Sequence, residues 1–222
     1  ECDAATMTQF PYNENGVIVA KHQKITPVAE HPGMVKIETY YVNEGKPITV
    51  RAYEMCRTEV EATDSVVWSL QPSSTSGRLD WVLPVTEGFK KENYLGMNNT
   101  DYGGGIPVVD LWQKDGGVAI GLIEPVLRMI SMPVEWKRYE NKVSMSLRYE
   151  FEWPVELNTG DTLHTFTAFR DEHKGDFFNA LRAFSEVMQK DAGIELPASE
   201  PEAFEPVWCA WGYERTFTIN EV

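Results

Sequence analysis

Residues Val143–Trp153 read VSMSLRYEFEW, and apolar and polar side chains alternate along them without interruption. The odd-numbered positions are valine, methionine, leucine or aromatic, and the even-numbered ones are serine, arginine or glutamate. A period of two is the pattern of a β-strand with one buried face. The stretch therefore predicts a long strand whose odd-numbered side chains, Trp153 included, share the buried face.

Shorter runs with the same alternation lie on both sides of this stretch, separated by turn-forming residues such as Asp115-Gly116-Gly117. One of them, Val118–Ile123, is apolar on both faces, which predicts a strand covered by a layer on each side. Many short strands with turn signals between them indicate an antiparallel sandwich or barrel. The predicted strands are Gly16–Ile25, Met34–Val42, Ile48–Val60, Ser65–Leu70, Leu79–Val85, Ile106–Trp112, Val118–Ile123 and Thr162–Phe169.

One segment has the period of a helix. Asp176 is suited to cap its start and Gly193 to end it. The apolar positions recur three and four residues apart, which places on one face Phe177, Leu181, Phe184 and Met188. Residues 195–206 contain three prolines and four glutamates, a linker composition that predicts no regular element. The apolar run Val207–Tyr213 (VWCAWGY) then predicts the start of a further strand.

Composition excludes several classes of function. The 222 residues hold 20 Lys and Arg against 34 Asp and Glu, a net charge of −14, which argues against a nucleic-acid partner. No apolar run approaches the roughly 20 residues of a spanning helix, so no membrane span is expected.

Three cysteines, Cys2, Cys56 and Cys209, form no CxxC pair and leave at least one thiol unpaired. Cys2 so close to the start is compatible with the remnant of an export signal, which favours a periplasmic or extracellular location over a cytoplasmic one.

The motifs of common catalytic and cofactor sites are missing from the sequence. His22, His31, His164 and His173 lack metal-ligand spacing, so neither a metal nor another cofactor is expected. The run Gly103–Gly105 fails both glycine-rich phosphate fingerprints, and no GxSxG nucleophile motif occurs. Tryptophans are more informative because aromatic faces stack on sugar rings, although core packing is their commoner role. The sugar-binding candidates are Trp211, Tyr213, Trp112 and Asp110.

The stretch from His173–Arg182 (HKGDFFNALR) through the proline-rich linker to VWCAWGY resembles the passage from the N-terminal β-sandwich into the catalytic barrel of α-galactosidase-like glycoside hydrolases, the melibiase and raffinose-synthase-related group. The upstream Asp101–Trp112 (DYGGGIPVVDLW) resembles the sandwich domain of the same group. The resemblance implies a mainly β fold, a large antiparallel sandwich similar to galactose mutarotase, with one C-terminal helix. It implies three parts: the sandwich with its closing helix at 1–192, a linker at 193–206, and at 207–222 the first strand of a truncated (β/α)₈ barrel.

The resemblance also implies where the chemistry lies. In this group both catalytic aspartates stand on later barrel strands, so none is expected here and both are expected downstream of Val222. Because the active site of such a barrel lies at the C-terminal ends of its strands, Trp211 and then Tyr213 are the candidates to line the sugar pocket. The implied partners are carbohydrate, through the parent enzyme, and the domain's own catalytic barrel. Association of copies into homo-oligomers stays open.

The leading hypothesis is therefore a non-catalytic sandwich of a retaining hydrolase of α-galactoside-like sugars, present as a fragment that is inactive alone. One alternative is a carbohydrate-binding module, which the tryptophans and a long surface loop predicted at Thr86–Gly105 favour. The other is a mutarotase-like sugar epimerase that uses His164 as acid or base.

Overall fold

The computed structural model describes residues 4–62, 66–72, 81–95, 106–126, 128–195 and 197–206. The chain forms strands, one α-helix and one 3₁₀ turn in this part. In chain order these are β1 (Ala5–Glu14), β2 (Val17–Pro27), β3 (Met34–Asn43), β4 (Ile48–Glu61), β5 (Val67–Leu70), β6 (Val82–Val85), β7 (Lys90–Leu95), β8 (Val108–Gln113), β9 (Gly116–Leu122), β10 (Ile130–Lys137), β11 (Lys142–Leu157), β12 (Thr162–His164), β13 (Ala168–Lys174), α1 (Phe177–Ala192) and the 3₁₀ turn Pro201–Phe204.

The described strands form two antiparallel sheets packed as a sandwich, as predicted. The larger sheet has the order β1-β2-β3-β13-β9-β8-β5-β6, with β12 also paired to β3. The smaller sheet has the order β4-β11-β10-β7. Gln71 ties them together at one edge, because its Nε2 donates to the carbonyls of Lys91 on β7 and Met132 on β10, at 3.2 and 3.1 Å.

Two apolar clusters lie on opposite faces of the larger sheet. The cluster between the sheets includes Leu111, Ile120 and Leu147. The cluster between the larger sheet and helix α1 includes Phe169 and Ala119. Strand β9 contributes to both, so the predicted double coverage of its apolar run is confirmed.

Strand β11 is longer than predicted and differs from the predicted alternation toward both ends. Val143, Met145 and Leu147 are buried, as expected, but so are Ser144 and Ser146, which were expected on the exposed face. Trp153, which was expected on the same buried face, is 76% exposed. Its pairing with β4 shifts register between Glu150 and Val155, and this irregularity carries the tryptophan out of the alternation.

A bulge in β4 changes which of its residues face the core. Cys56 has a φ of +50°, and the pairing with β11 shifts there by one residue. Tyr53 and Met55 are buried before the bulge, and Thr58 is buried after it. Burial raises the pKa of the free Cys56 thiol to about 12.

Most predicted strands are present within a few residues of their predicted ends. The predicted strand Thr162–Phe169 is instead two strands, β12 and β13, because Thr165 donates to the Thr39 carbonyl through both its backbone N–H and its Oγ1 and bends the chain. The loop predicted at Thr86–Gly105 contains β7, and residues 96–105 lie outside the described part of the chain. Within the described part of the chain β7 pairs with β10 alone, and an edge strand needs no apolar alternation to form its hydrogen bonds.

The predicted helix is confirmed with both of its caps. The Asp176 side chain accepts a hydrogen bond from Phe178 N at 3.1 Å, and Gly193 adopts a left-handed conformation with φ +62°. The helix buries Ala180, Ala183 and Val187 against the larger sheet. Contrary to the prediction, the linker does contain a regular element, the 3₁₀ turn. Within the described residues no helix is long and apolar enough to cross a membrane.

Candidate functional site

A polar cluster lies on the helix-covered face of the larger sheet, at the N-terminal end of α1. It forms because β8 and β13 flank β9, where Gly117 and Ala119 leave space between the outer strands. Asp110 and Asp171 both pair with Ala119, while His173 pairs with Gly117. Across this gap His173 Nε2 lies 2.9 Å from Asp110 Oδ1.

The Asp110–His173 pair is enclosed by protein. Asp110 is 0% exposed and the His173 side chain 5% exposed. Burial raises the pKa of Asp110, against the opposing effect of the hydrogen bond from His173. Burial alone would lower the pKa of His173, but the hydrogen bond and charge of Asp110 outweigh it and the pKa is raised. The hydrogen bond between the two side chains thus opposes the effect of burial on both groups.

Two further carboxylates stand near this pair. Asp171 is 4% exposed, and burial raises its pKa, against the opposing charges of His173 and His31. Asp176, the N-cap of the helix, raises the pKa of Asp110 further by its negative charge. Asp110 Oδ2 is buried and has no hydrogen-bond partner among the described residues. The imidazole of His173 thus interacts with the carboxyl groups of both Asp110 and Asp171.

Aromatic rings border the cluster where the helix begins. The Trp112 ring lies 6.5 Å from that of Trp68 and 5.3 Å from that of Phe177, between centroids. Trp112 itself is 8% exposed, whereas Trp68 is 39% and Phe178 67% exposed. The aromatic surface open to a ligand therefore belongs to Trp68 and Phe178.

Solved structures of α-galactosidases contain a domain with this architecture. A variant of the GH36 α-galactosidase AgaA from Geobacillus stearothermophilus, in complex with stachyose, superposes with a TM-score of 0.57 and 12% identity, over 86% of this chain and 30% of that one. The galactosidase domain of the α-galactosidase-sucrose kinase AgaSK gives a TM-score of 0.53 and 15% identity, over 78% of this chain and 28% of that one. The chain has the fold of the N-terminal domain of GH36 α-galactosidases.

A curated protein is similar in sequence as well. It is the A type blood α-D-galactosamine galactosaminidase of Flavonifractor plautii, 24% identical over 223 aligned positions that cover 88% of this chain. The chain spans 20% of the length of that relative. No family model matches the chain.

Within this GH36-type sandwich, the structure brings two of the four sugar-binding candidates together. Asp110 and Trp112 are neighbours on β8 and both face the helix, but both are buried. The other two, Trp211 and Tyr213, lie outside the described residues. His164, the candidate acid or base of the epimerase alternative, is exposed on β12, with its ring 5.5 Å from that of Tyr40.

His173 and Asp171 were not singled out from the sequence as site residues. They alternate along β13 and so lie on one face of it, but their proximity to Asp110 depends on how β8 and β13 each pair with β9.

Among the described residues no group of three or more His, Cys, Asp or Glu side chains is arranged to hold a metal ion.

Proposed function

We propose that the chain is the non-catalytic N-terminal sandwich of a retaining glycoside hydrolase that acts on α-galactoside-like sugars. The observation that carries the proposal is the coverage of the relatives. Nearly the whole chain aligns with a galactosaminidase of which it spans one fifth, and it has the fold of one domain of the α-galactosidases. The catalytic aspartates then belong to a barrel elsewhere in the polypeptide.

The buried acids support a structural role for this domain. A glycosidase needs two carboxyl groups that flank the scissile bond, roughly 5 to 9.5 Å apart, with room for the sugar between them. Asp110 and Asp171 are instead covered by protein, and His173 is hydrogen-bonded to Asp110. This arrangement suits the attachment of helix α1 to the sheet better than contact with a glycosidic bond.

The proposal includes the division of the chain. The sandwich with its closing helix takes up 1–192, because α1 ends at Ala192 and Gly193 terminates it. Residues 193–206 form the linker, and 207–222 the first barrel strand. Trp211 and Tyr213 are then the residues of this chain proposed to line the sugar pocket.

The direct test is an activity assay on the purified chain with 4-nitrophenyl α-galactoside and 4-nitrophenyl α-N-acetylgalactosaminide. We expect no release of nitrophenol above buffer. Release that co-purifies with the chain and disappears in Asp110→Asn or Asp171→Asn would overturn the non-catalytic role. Sequencing the gene beyond the codon for Val222 tests the hydrolase: the reading frame is expected to continue into barrel strands that carry two aspartates.

A carbohydrate-binding role is the second candidate, and the exposed rings of Trp68 and Phe178 favour it. Titration calorimetry with galactose and raffinose tests it, with Trp68→Ala as the variant. Saturable heat that is lost in Trp68→Ala would support this candidate, and heat that is absent or unchanged by the variant would refute it.

A further inference from the structure

A cavity of about 520 Å³ lies between the two sheets, alongside β4. Strands β2, β3 and β12 of the larger sheet line one side of it, and β4 with the end of β11 lines the other. Its volume falls within the roughly 300 to 1,000 Å³ of small-molecule sites. Neither Asp110 nor Trp68 contributes to its lining, so the cavity is separate from the polar cluster and from the aromatic surface.

One end of the cavity is apolar. Aliphatic side chains from four strands form its wall there: Val19, Ile48, Val50, Leu157 and Leu163. Asn43 joins the two sheets at this end, because its Nδ2 donates to the carbonyls of Lys46 and Leu157 at 3.0 and 2.9 Å. An apolar group placed between these side chains would be removed from water, which favours its binding.

The other end lies at the Cys56 bulge of β4 and carries polar groups. Lys21 and Tyr41 are cross-strand neighbours on β2 and β3, while Glu54 and Arg57 flank the bulge. Burial raises the pKa of the Cys56 thiol, and the charge of Lys21 opposes this effect, so the ammonium group lies near the cavity wall. Arg57 Nη1 lies 3.5 Å from Glu54 Oε2, which gives the carboxylate of Glu54 a cation beside it.

This polar end is cationic, although the chain is acidic. Two cationic side chains, Lys21 and Arg57, line it against one carboxylate, Glu54, whereas the whole chain carries a net charge of −14. Burial raises the pKa of Tyr41, and the charge of Glu54 raises it further, so the phenol stays protonated and can donate. A carboxylate placed here would meet ammonium, guanidinium and phenol donors.

We propose that the cavity binds an amphipathic monocarboxylate, with its aliphatic chain against Val50 and Leu157 and its carboxylate beside Lys21 and Tyr41. A fatty acid of medium chain length has this chemistry. The cationic end favours a carboxylate over an ammonium head group, because opposite charges attract and charge-assisted hydrogen bonds form. The site does not depend on the hydrolase proposal, since neither a sugar nor a catalytic barrel enters the argument.

Titration calorimetry of the purified chain with decanoate, hexanoate and decyltrimethylammonium tests the proposal, with each compound kept below the concentration at which it forms micelles. We expect saturation by decanoate in the roughly micromolar to millimolar range. Hexanoate is four methylenes shorter and should bind roughly 10- to 100-fold more weakly. Decyltrimethylammonium has the same chain with a cationic head group and should bind roughly tenfold more weakly than decanoate or not at all.

Variants and amide NMR shifts locate the binding. Lys21→Gln should weaken decanoate binding roughly tenfold, because it removes a charge-assisted hydrogen bond. Lys24→Gln is the matched control on the same strand: Lys24 Nζ lies 2.9 Å from Glu38 Oε2, outside the cavity, and affinity should be unchanged. Decanoate should shift the amide signals of Ala52 and Leu163, which line the cavity, and leave that of Trp68 unchanged.

Several results would overturn the proposal. These are no saturation by decanoate, equal affinity for decanoate and decyltrimethylammonium, equal affinity for decanoate and hexanoate, or full affinity for decanoate in Lys21→Gln. Shifts at Trp68 without shifts at Ala52 and Leu163 would place the binding on the aromatic surface instead. Should Lys21→Gln fail to fold, the comparison of the three ligands and the amide shifts of the unmodified chain still decide between these outcomes.

Discussion

The buried ion pair between Asp110 and His173 makes the stability of this domain depend on pH. Because the pKa of His173 is raised in the folded state, folding stabilises its protonated form. That contribution is fully present below about pH 6.5, the ordinary pKa of histidine, and is lost as the pH rises through the higher value of the folded state. The raised pKa values of Asp110 and Asp171 favour the folded state at low pH in the same way.

We therefore expect the melting temperature to fall as the pH is raised from about 6 to about 9, a window in which exposed carboxylates no longer titrate. Asp110→Asn should flatten this dependence and cost about 1 to 3 kcal/mol of unfolding free energy at about pH 6, because the imidazolium loses its counter-ion. Thermal melts followed by circular dichroism measure both effects. The exposed His164→Gln is the control and should keep the wild-type slope. A wild-type melting temperature that rises across this window would contradict the account.

The same pair shows what a sequence can and cannot predict about a site. Trp112 was identified as a candidate because an aromatic ring can stack on a sugar, and Asp110 because it precedes Trp112 in the same predicted strand. His173 lies 63 positions from Asp110, and only the register of β8 and β13 on β9 brings the two side chains together. No local pattern encodes that register. The burial of Trp112 likewise depends on Trp68 and Phe177, which other elements supply.

At the scale of elements, β9 can lie in the middle of the larger sheet because three of its residues, Gly116, Gly117 and Gly121, lack side chains. A Cβ at Gly117 would lie 2.6 Å from Trp112 Cβ and 2.5 Å from the Leu111 carbonyl oxygen. A Cβ at Gly121 would lie 2.6 Å from Cε1 of the Phe169 ring. These contacts are closer than atoms can approach, so side chains and carbonyl oxygens of neighbouring strands already occupy the space above each glycine.

Gly117→Ala should therefore destabilise the domain by about 1 to 3 kcal/mol or more, because strand β8 has to move away from β9. Urea denaturation measures the loss, and the near-ultraviolet circular dichroism of Trp112 should change with it. Gly88→Ala is the control: no atom lies within 4 Å of the added Cβ, and only its φ of +82° opposes the substitution. Equal losses in the two variants, with an unchanged tryptophan signal, would show that the packing explanation is wrong.

β4 and the first half of β11 were predictable because each alternates against the cluster between the sheets. β1 and β10 were not predicted, although β10 contributes Ile130, Met132 and Val134 to the same cluster. β7 is rich in polar residues and was predicted to be part of a loop. Among the described strands it pairs with β10 alone, and backbone hydrogen bonds to one neighbour require no apolar alternation. The bend between β12 and β13 arises from hydrogen bonds of Thr165 to a residue 126 positions away, which no short window contains.

At the scale of the whole molecule, the larger sheet is shared by two apolar clusters. Val109, Leu111 and Ile120 face the smaller sheet, while Val108 and Ala119 face the helix. Neighbouring residues of β8 and β9 thus belong to different layers. Loss of either layer exposes one face of the same strands to water, so neither layer is expected to persist without the other.

This coupling predicts that the domain unfolds in a single transition. Leu147→Ala removes a buried side chain from the cluster between the sheets and should lower the free energy of unfolding by about 2 to 5 kcal/mol. Phe169→Ala removes one from the cluster under the helix and should lower it by about 3 to 5 kcal/mol. If the sheet couples the layers, both variants should lower one common midpoint, with far-ultraviolet circular dichroism and tryptophan fluorescence changing together. The contrary result would be a separate early transition in Phe169→Ala, in which the helical circular dichroism is lost while the tryptophan fluorescence is unchanged. It would show that helix α1 unfolds independently of a sandwich that is stable without it.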